Sequence, residues 1–356
     1  MVDFVTQDAR LHWSFKNLSG ASVGRARIAV VGAGIAGLAC ARELTRSDAS
    51  VTVFERSRSL GGRMSTHRRG NFAFDFGAQY VTGRSRSFAH YIGIAERAGA
   101  AAQWKPRILE DERSWSEPIE EWHVGTPGMS AFIRPLARGV DLRAGVTVHE
   151  LIQSQRGWEL QTDAGRIDGI FDAIAVAVPA PQALKLLGGH GRAFRDLTNV
   201  YMAPCWTAVM AFEDPLDAGA EARRWTSGAL RWASSDSSKP QRPEGMHGWV
   251  VHASPAWSLE HIEIDARDAA QELFRQFAEA LGTSLPDPVY LHAHRWRHAF
   301  VERPLGLPCL VDEEMAAGAC GDWCIAPRVE AAYESGRTLA HSLLSIVGLS
   351  APLVRR

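Results

Sequence analysis

The stretch Arg27-Ile-Ala-Val-Val-Gly-Ala-Gly-Ile-Ala-Gly-Leu38, followed by Val51-Thr-Val-Phe-Glu-Arg56, decides the fold. An apolar run enters Gly32, Gly34 and Gly37, an amphipathic helix pattern follows, and a second apolar run ends on Glu55. That order predicts strand, tight turn, helix and strand, the context in which a glycine motif holds a dinucleotide rather than merely turning the chain. Gly32 serves the turn, Gly34 lets the backbone approach a pyrophosphate, and Gly37 brings the helix close to the strand. The helix N-terminus, which includes Ala36, then faces the phosphates. Glu55, about twenty residues on, is placed to accept ribose hydroxyls, with Arg56 beside it.

Composition sets the frame for this motif. The chain has 356 residues, is 46% hydrophobic and carries a formal net charge of -1. It can therefore bury one large core or two smaller ones. Its charge balance points to neither a nucleic-acid groove nor an anionic membrane as partner. No apolar run has the length of a membrane span. Basic residues are almost all arginine, with lysine only at Lys16, Lys105, Lys185 and Lys239, and none of these lies in an evident site segment. The five cysteines (Cys40, Cys205, Cys309, Cys320, Cys324) show no metal or disulfide spacing, which fits a reducing, cytoplasmic setting. Residues 1–26 read as an N-terminal extension, disordered or preceding the true start, and without a legible function.

Alternating strand and helix signals fill residues 27–100, as for a parallel sheet covered by helices. Met129–Arg138 reads as a short helix, Val140–Val148 as extended, and Val146–Gln153 with Gly157–Thr162 as a hairpin. Phe171–Val178 has the continuous apolar character of a fully buried strand, stopped by Pro179 and Pro181. From about 200 to 300, apolar runs at Trp206–Phe212 and Gly248–Ala253 alternate with loops, of which Ser234–Pro243 is expected to be the most flexible. Ala269, Leu273, Phe277 and Leu281 mark one face of a helix. A short strand near Ala319 and Cys320, then Gly321-Asp322 and a helix from Pro327 to about Val347, return to the nucleotide-fold style. The expected architecture is α/β: a nucleotide domain from 27–85, 125–185 and 305–350, with a mixed-sheet substrate domain from 86–124 and 186–304 inserted.

Two further segments bear on a phosphate site. Arg58, Gly61, Gly62, Arg63 and Thr66 form RxxGGRxxT just after the second strand, where adjacent glycines let backbone lie against a ligand. Arg63 offers a charge-assisted fork to a pyrophosphate. At the far end, Gly321-Asp322 and Pro327-Arg-Val-Glu-Ala331 place a helix start, with Arg328 and Val329, toward the same ligand.

In this order the motifs resemble the glutathione-reductase-like, amine-oxidase-type FAD-binding fold. The resemblance implies non-covalent FAD, its ADP half on the first glycine turn and Glu55, its pyrophosphate and ribityl chain on Gly62 and Arg63, and its ribityl chain and pyrimidine edge at Gly321-Asp322 and the Arg328–Val329 helix start. Within that superfamily the chain is most similar to the bacterial renalases. The carrying segments are Gly61–Thr66, Asp75-Phe-Gly-Ala-Gln-Tyr-Val-Thr82, Gly125–Ser130, Val178–Gln182, Trp249–His252, His294-Arg-Trp296, Gly321–Cys324 and Arg328–Glu330. They span about 28–345. The family implies oxidation of 2- and 6-dihydro isomers of NAD(P)H, with electrons passing through FAD to O2. It also implies Gln79 and Tyr80 at the flavin edge and His252 and Trp296 in the substrate cavity, so Tyr80, His252 and Trp296 are the expected catalytic residues.

The residues themselves give partial support. A strand over 289–298 would put His292, His294, Trp296 and His298 on one face and Arg295 and Arg297 on the other. The histidines lack a carboxylate or cysteine at metal-ligand spacing, so no metal is expected. Cys320 and Cys324 read as structural thiols rather than flavin attachment points. Amine oxidation is the nearest alternative, weakened by the scarcity of lysine and by Arg328 standing where an aromatic cage residue is common. A desaturase would need a long apolar access segment for its lipid, and none is visible. A flavin- or nucleotide-binding protein without catalysis is the remaining alternative.

Overall fold

The structure, a computed structural model, describes residues 25–111, 114–245 and 247–350. Residues 1–24 of the expected extension therefore lie outside the described residues. The elements that position the site are, in chain order, β1 (Arg27–Val31), α1 (Ile35–Arg46), β2 (Ser50–Glu55), β3 (Asp141–Ala144), β4 (Ala173–Val176), β5 (Tyr201–Phe212), β6 (Leu230–Ser235) and β7 (His247–Ala253). They continue with α2 (Ala266–Leu281), β8 (Tyr290–Arg303), β9 (Leu310–Asp312), β10 (Ala317–Ala319), α3 (Asp322–Ile325) and α4 (Val329–Ile346).

Apolar continuity in the central strands has its predicted consequence. All four residues of β4 are fully buried, and β4 pairs in parallel with β1 on one side and β10 on the other. The six-stranded sheet runs β9-β10-β4-β1-β2-β3, parallel except for β9. Alternate side chains feed opposite faces. Ile28, Val30, Val51, Val53, Ala173 and Ala175 pack with α1 and α4, whereas Ala29, Val31, Phe54, Ile174 and Val176 pack with the second layer. That layer is the hairpin Val148–Ser154/Gly157–Thr162 and the helix Ala180–Leu187. The strand order reverses at β1, so the crevice beyond the carboxyl ends of β1 and β4 is where this topology takes a ligand.

The first glycine turn is tight for steric reasons. Gly32 has φ +105°, a conformation L side chains rarely adopt. A β-carbon at Gly37 would stand 1.9 Å from the Gly32 carbonyl oxygen, so only glycine lets α1 begin this close to β1.

The second sheet is built mainly from residues 201–303. It runs β8-β5-β7-β6, then Ala222–Arg224, Ile108–Glu110 and Ser114–Ser116, and is antiparallel except where Ala222–Arg224 meets Ile108–Glu110. Trp206, Ala208, Met210 and Phe212 of β5 pack outward under Ala269, Leu273 and Phe277 of α2. Val209, Ala211 and Val250 face inward onto Phe74. The helix Arg86–Arg97, grouped with the substrate domain in the sequence reading, packs its Phe88 and Tyr91 on Tyr333 of α4 and so joins the nucleotide side. Ser234–Pro243 is not the flexible loop its composition implied, because Asp236 and Lys239 are buried within it. Among the described residues no helix is long and apolar enough to cross a membrane.

Gly37→Ala tests the turn. Alanine gains about 1 kcal/mol of helix propensity, but overpacking against a backbone carbonyl costs about 1–3 kcal/mol or more. Urea unfolding should therefore show a net loss of stability, and a midpoint at or above that of the parent protein would contradict the close approach.

Candidate active site

A cavity of about 1200 Å³ opens between the two sheets at the ends of β1 and α1. Of the residues singled out from sequence, Gly34, Ala36, Arg63, Gln79, Tyr80, His252, Trp296, Asp322, Arg328 and Val329 line it. Gly32 and Gly37 of the first turn, Glu55 at the end of β2 and Gly62 in the segment after it do not line the cavity. Glu55 is buried, and its carboxylate accepts from Ala33 N and Ser57 N, each at 2.8 Å, so it clamps the turn to the end of β2. Gly321 likewise lies off the cavity, donating its N–H to Ser335 Oγ at 3.1 Å. Arg56 is exposed and does not line the cavity.

A β-carbon at Gly34 would meet no protein atom within 4 Å, in contrast to Gly37. The glycine at the mouth of the turn therefore faces open space at the N-terminus of a 12-residue helix. Bare backbone and a positive helix end suit a pyrophosphate. The donor set fits the ADP half of FAD.

Arg63 departs from expectation. Its fork is engaged by protein: Nη1 and Nη2 donate to Asp322 Oδ2 at 2.9 Å and Oδ1 at 2.6 Å, and Nη1 also to Ala299 O at 3.1 Å. A bidentate carboxylate satisfies the planar guanidinium as well as a pyrophosphate does. Arg63 thus braces β8 and the start of α3 at the cavity floor. Pro327 also sits outside its helix, since α4 is capped by Arg328. The first turn of α4 instead contributes Glu330, a buried carboxylate that accepts from Arg84 N, Ser85 N and Arg328 Nε.

Strand register assembles the cavity wall formed by the second sheet. Thr207 of β5 pairs with His252 of β7, which pairs with Trp232 of β6, and Cys205 pairs with Trp296 of β8. Tyr80 stacks on Trp122 with ring centroids 3.6 Å apart and planes within 6°, and Trp232 lies 6.0 Å from each. Trp296 donates from Nε1 to Phe76 O at 3.2 Å, and both Trp296 and His294 pack on the Phe76 ring. His292 stacks on His67. On the other face Arg295 and Arg297 share Glu263, as period-2 spacing predicted.

Behind Gln79 lies a group that sequence reading missed. Lys239 Nζ donates to Asp236 Oδ1 at 2.6 Å and to Gln79 Oε1 at 3.1 Å, and stands 3.6 Å from Asp75 Oδ2. Arg242 bridges Asp236 and Asp75, while Asp75 Oδ1 accepts from Met129 N at 2.7 Å and Thr66 Oγ1 at 2.9 Å. Burial opposes ionisation of Asp236, but the Lys239 and Arg242 charges outweigh it and hold that carboxyl below its usual range. Ser234 Oγ also donates to Gln79 Oε1, at 2.8 Å. With its oxygen so occupied, the Gln79 amide turns its nitrogen to Asp75 O, Gly77 O and His252 Nε2, the last at 3.4 Å. The alternating charges Asp236, Lys239 and Arg242 at every third position were the available signal, hidden by a Ser- and Pro-rich setting.

These surroundings fix the wall's protonation. Burial, then the Lys239 charge, pushes His252 down to about 3, against the pull of the Phe76 carbonyl on a ring proton. Burial pushes the Cys205 thiol up to about 12 and raises the Tyr80 phenol. Cys320 and Cys324, both buried, are raised as well, chiefly by burial.

Because folded His252 resists protonation that the unfolded imidazole accepts below 6.5, the unfolded state binds more protons at acid pH. The stability this histidine permits is complete above about pH 6.5 and is lost as pH falls toward 3. His252→Gln should flatten the pH dependence of the urea midpoint in that window; an identical acid slope in the variant would contradict a buried, neutral imidazole.

Comparisons with known proteins bear on the same site. Residues 30–92 match the NAD(P)-binding Rossmann-like domain family, and residues 103–344 match the family described as flavin containing amine oxidoreductase. A 4,4'-diapophytoene desaturase (4,4'-diaponeurosporene-forming) from Staphylococcus haemolyticus is 48% identical over 54 residues, 15% of this chain and 11% of that protein. The Staphylococcus aureus (strain Newman) enzyme is 42% identical over 55 residues, again 11% of its length. The chain thus spans about a tenth of the curated relatives it matches. Among solved structures, a protein from Exiguobacterium sp. 255-15, assigned provisionally as a protoporphyrinogen oxidase, superposes with TM-score 0.72 at 13% identity, covering 91% of this chain and 99% of that one. Putrescine oxidase bound to putrescine gives TM-score 0.68 at 13% identity over 90% and 99%. At such identities the likeness speaks for the fold, an α/β Rossmann-type domain joined to a mixed-sheet domain. With more than half of its length matched, the chain belongs to the flavin containing amine oxidoreductase family, and its cofactor is FAD.

Proposed function

We propose that the chain oxidises 2- and 6-dihydro isomers of NAD(P)H, as the bacterial renalases do. Non-covalent FAD would supply the hydride acceptor and the route of the electron pair to O2, for an overall conversion of dihydro-NAD(P), O2 and a proton to NAD(P)+ and H2O2. In this reading the Gly32–Gly37 turn and the start of α1 hold the pyrophosphate, Glu55 and Arg56 flank the adenosine side, and Gly62, Asp322, Arg328 and Val329 meet the ribityl and pyrimidine end, with Arg63 fixing Asp322 and Gly321 shaping the turn before it. Gln79 lies at the flavin edge, while Tyr80, His252 and Trp296 hold the substrate ring. The three-stranded antiparallel layer over one face of the parallel sheet supports the glutathione-reductase-like assignment. Five free thiols, four of them buried, accord with a reducing, cytoplasmic setting.

One observation carries the reading. His252 sits in the wall where burial and the Lys239 charge resist its taking up a proton near neutral pH, and burial resists loss of a proton from the Cys205 thiol and the Tyr80 phenol, so none of these natural candidates serves as a base there. A dihydropyridine losing hydride becomes an aromatic cation, so the protein need remove no proton; it need only orient the ring. An amine arrives as an ammonium and must be deprotonated first, a task for a group titrating near the working pH. The flat faces of Tyr80, Trp122 and Trp232 suit a dihydropyridine ring. They also suit an amine, and with the family match they make amine oxidation the second reading.

Anaerobic mixing with isomeric dihydro-NAD should bleach the flavin absorbance, and primary amines should not; the reverse pattern would overturn the proposal in favour of amine oxidation. Trp296→Ala should slow that bleaching by about tenfold to hundredfold through lost orientation, while the FAD content of the purified protein stays unchanged. Loss of FAD with unchanged bleaching per bound flavin would move Trp296 from the substrate to the cofactor.

A further inference from the structure

Among the described residues five arginines line the cavity: Arg63, Arg84, Arg224, Arg231 and Arg328. Four are neutralised by carboxylates, with Arg63 on Asp322 at 2.6 Å, Arg84 on Glu120 at 2.6 Å, Arg224 on Glu110 at 3.0 Å and Arg328 on Glu330 at 3.1 Å. Arg231 alone has no carboxylate within ion-pair reach among the described residues, and its guanidinium lies over the Phe300 ring, 4.5 Å from the centroid. Glu302, two residues beyond Phe300 on β8, also lines the cavity but does not reach it.

The backbone holds Arg231 in an unusual register. Leu230 pairs with Ala253 and Trp232 with His252, so Arg231 is the extra residue of a β-bulge between them. Bulges beside binding sites re-aim a side chain that regular pleating would direct elsewhere. Here the neighbours Leu230 and Trp232 are both buried, and Arg231 is exposed on the cavity wall. The unpartnered charge lies close enough to oppose protonation of His252 and to favour ionisation of Tyr80, so its field covers the region assigned to the substrate ring.

We propose that Arg231 is the anion-binding residue of the substrate pocket and takes the phosphate-bearing part of a dinucleotide while its ring lies among Tyr80, His252 and Trp296. The inference rests on the dihydronicotinamide reading above and deepens it. An unpaired guanidinium gives a phosphate two parallel hydrogen bonds without first breaking an ion pair, which the other four arginines cannot offer. Its position over the Phe300 ring pre-orients the intrinsically planar fork.

The test compares the parent protein, Arg231→Ala and Arg231→Lys on 6-dihydro-NAD and on the matching dihydronicotinamide riboside, which has no phosphate. Arg231→Ala should raise KM for the dinucleotide about tenfold, the usual scale for a lost charge-assisted pair, with little change in the limiting rate of flavin reduction. The preference for dinucleotide over riboside should collapse, and Arg231→Lys should restore part of it. NAD+ titrated into the oxidised protein, followed by the flavin difference spectrum, should weaken by the same factor. An unchanged dinucleotide KM, or equal rises for both substrates, would overturn the role of Arg231. Riboside-driven bleaching in the parent protein would leave the parent reading standing in that event; if neither compound bleaches the flavin, both fall.

Discussion

Four buried ionisable groups, Asp75, Asp236, Lys239 and Arg242, join the two halves of this molecule directly behind its cavity. Asp75 belongs to the segment that leaves the nucleotide side and ends at Gln79 and Tyr80, whereas the other three follow β6 of the second sheet. Burying ions is costly, and removal of one partner from such a group typically costs about 3–5 kcal/mol. The cluster is therefore poor evidence of extra stability and good evidence of a fixed arrangement. It accounts for the order of a segment whose composition resembles a loose linker.

What faces the cavity follows from this anchoring. Lys239 and Ser234 hold the Gln79 oxygen, so the amide presents N–H to His252, and an imidazole that accepts there while buried beside a cation stays neutral. The same wall carries a pair of stacked aromatic rings, Tyr80 and Trp122, and a cysteine whose thiol burial keeps protonated. On the proposed function, such a surface orients a flat ring and exchanges no protons with it near neutrality. On the opposite side the glycine turn, the open space at Gly34 and the start of α1 form a separate surface of bare backbone and a positive helix end, suited to a phosphate. Arg63 and Asp322, held together as an ion pair, line the same cavity.

Local signals carried much of the architecture. The β1–α1–β2 unit, the buried strand within Phe171–Val178, the hairpin at 148–162 and the apolar face of α2 all follow from glycine placement and periodicity, which act over a few residues. The alternation in β8 correctly separated the ring-stacking histidines and Trp296 from Arg295 and Arg297. What stayed hidden depends on residues far apart in the chain. Lys239 looked irrelevant because its partners Asp75 and Gln79 lie about 160 residues away. Arg63 looked free for a ligand because Asp322 could not be known as its neighbour. Trp122 and Trp232 join Tyr80 only through folding, and the bulge that exposes Arg231 is a matter of strand register, which sequence periodicity does not record.

On the proposed function, the wall of this cavity orients a hydride donor without acting as a base. The most direct measurement is the pH dependence of the anaerobic rate of flavin reduction by saturating 6-dihydro-NAD between about pH 5.5 and 9. The account predicts a rate that is flat across that range, since no wall group titrates in it with a required role. A rate that climbs about tenfold per pH unit along an acid limb, as a single obligatory deprotonation demands, would contradict it.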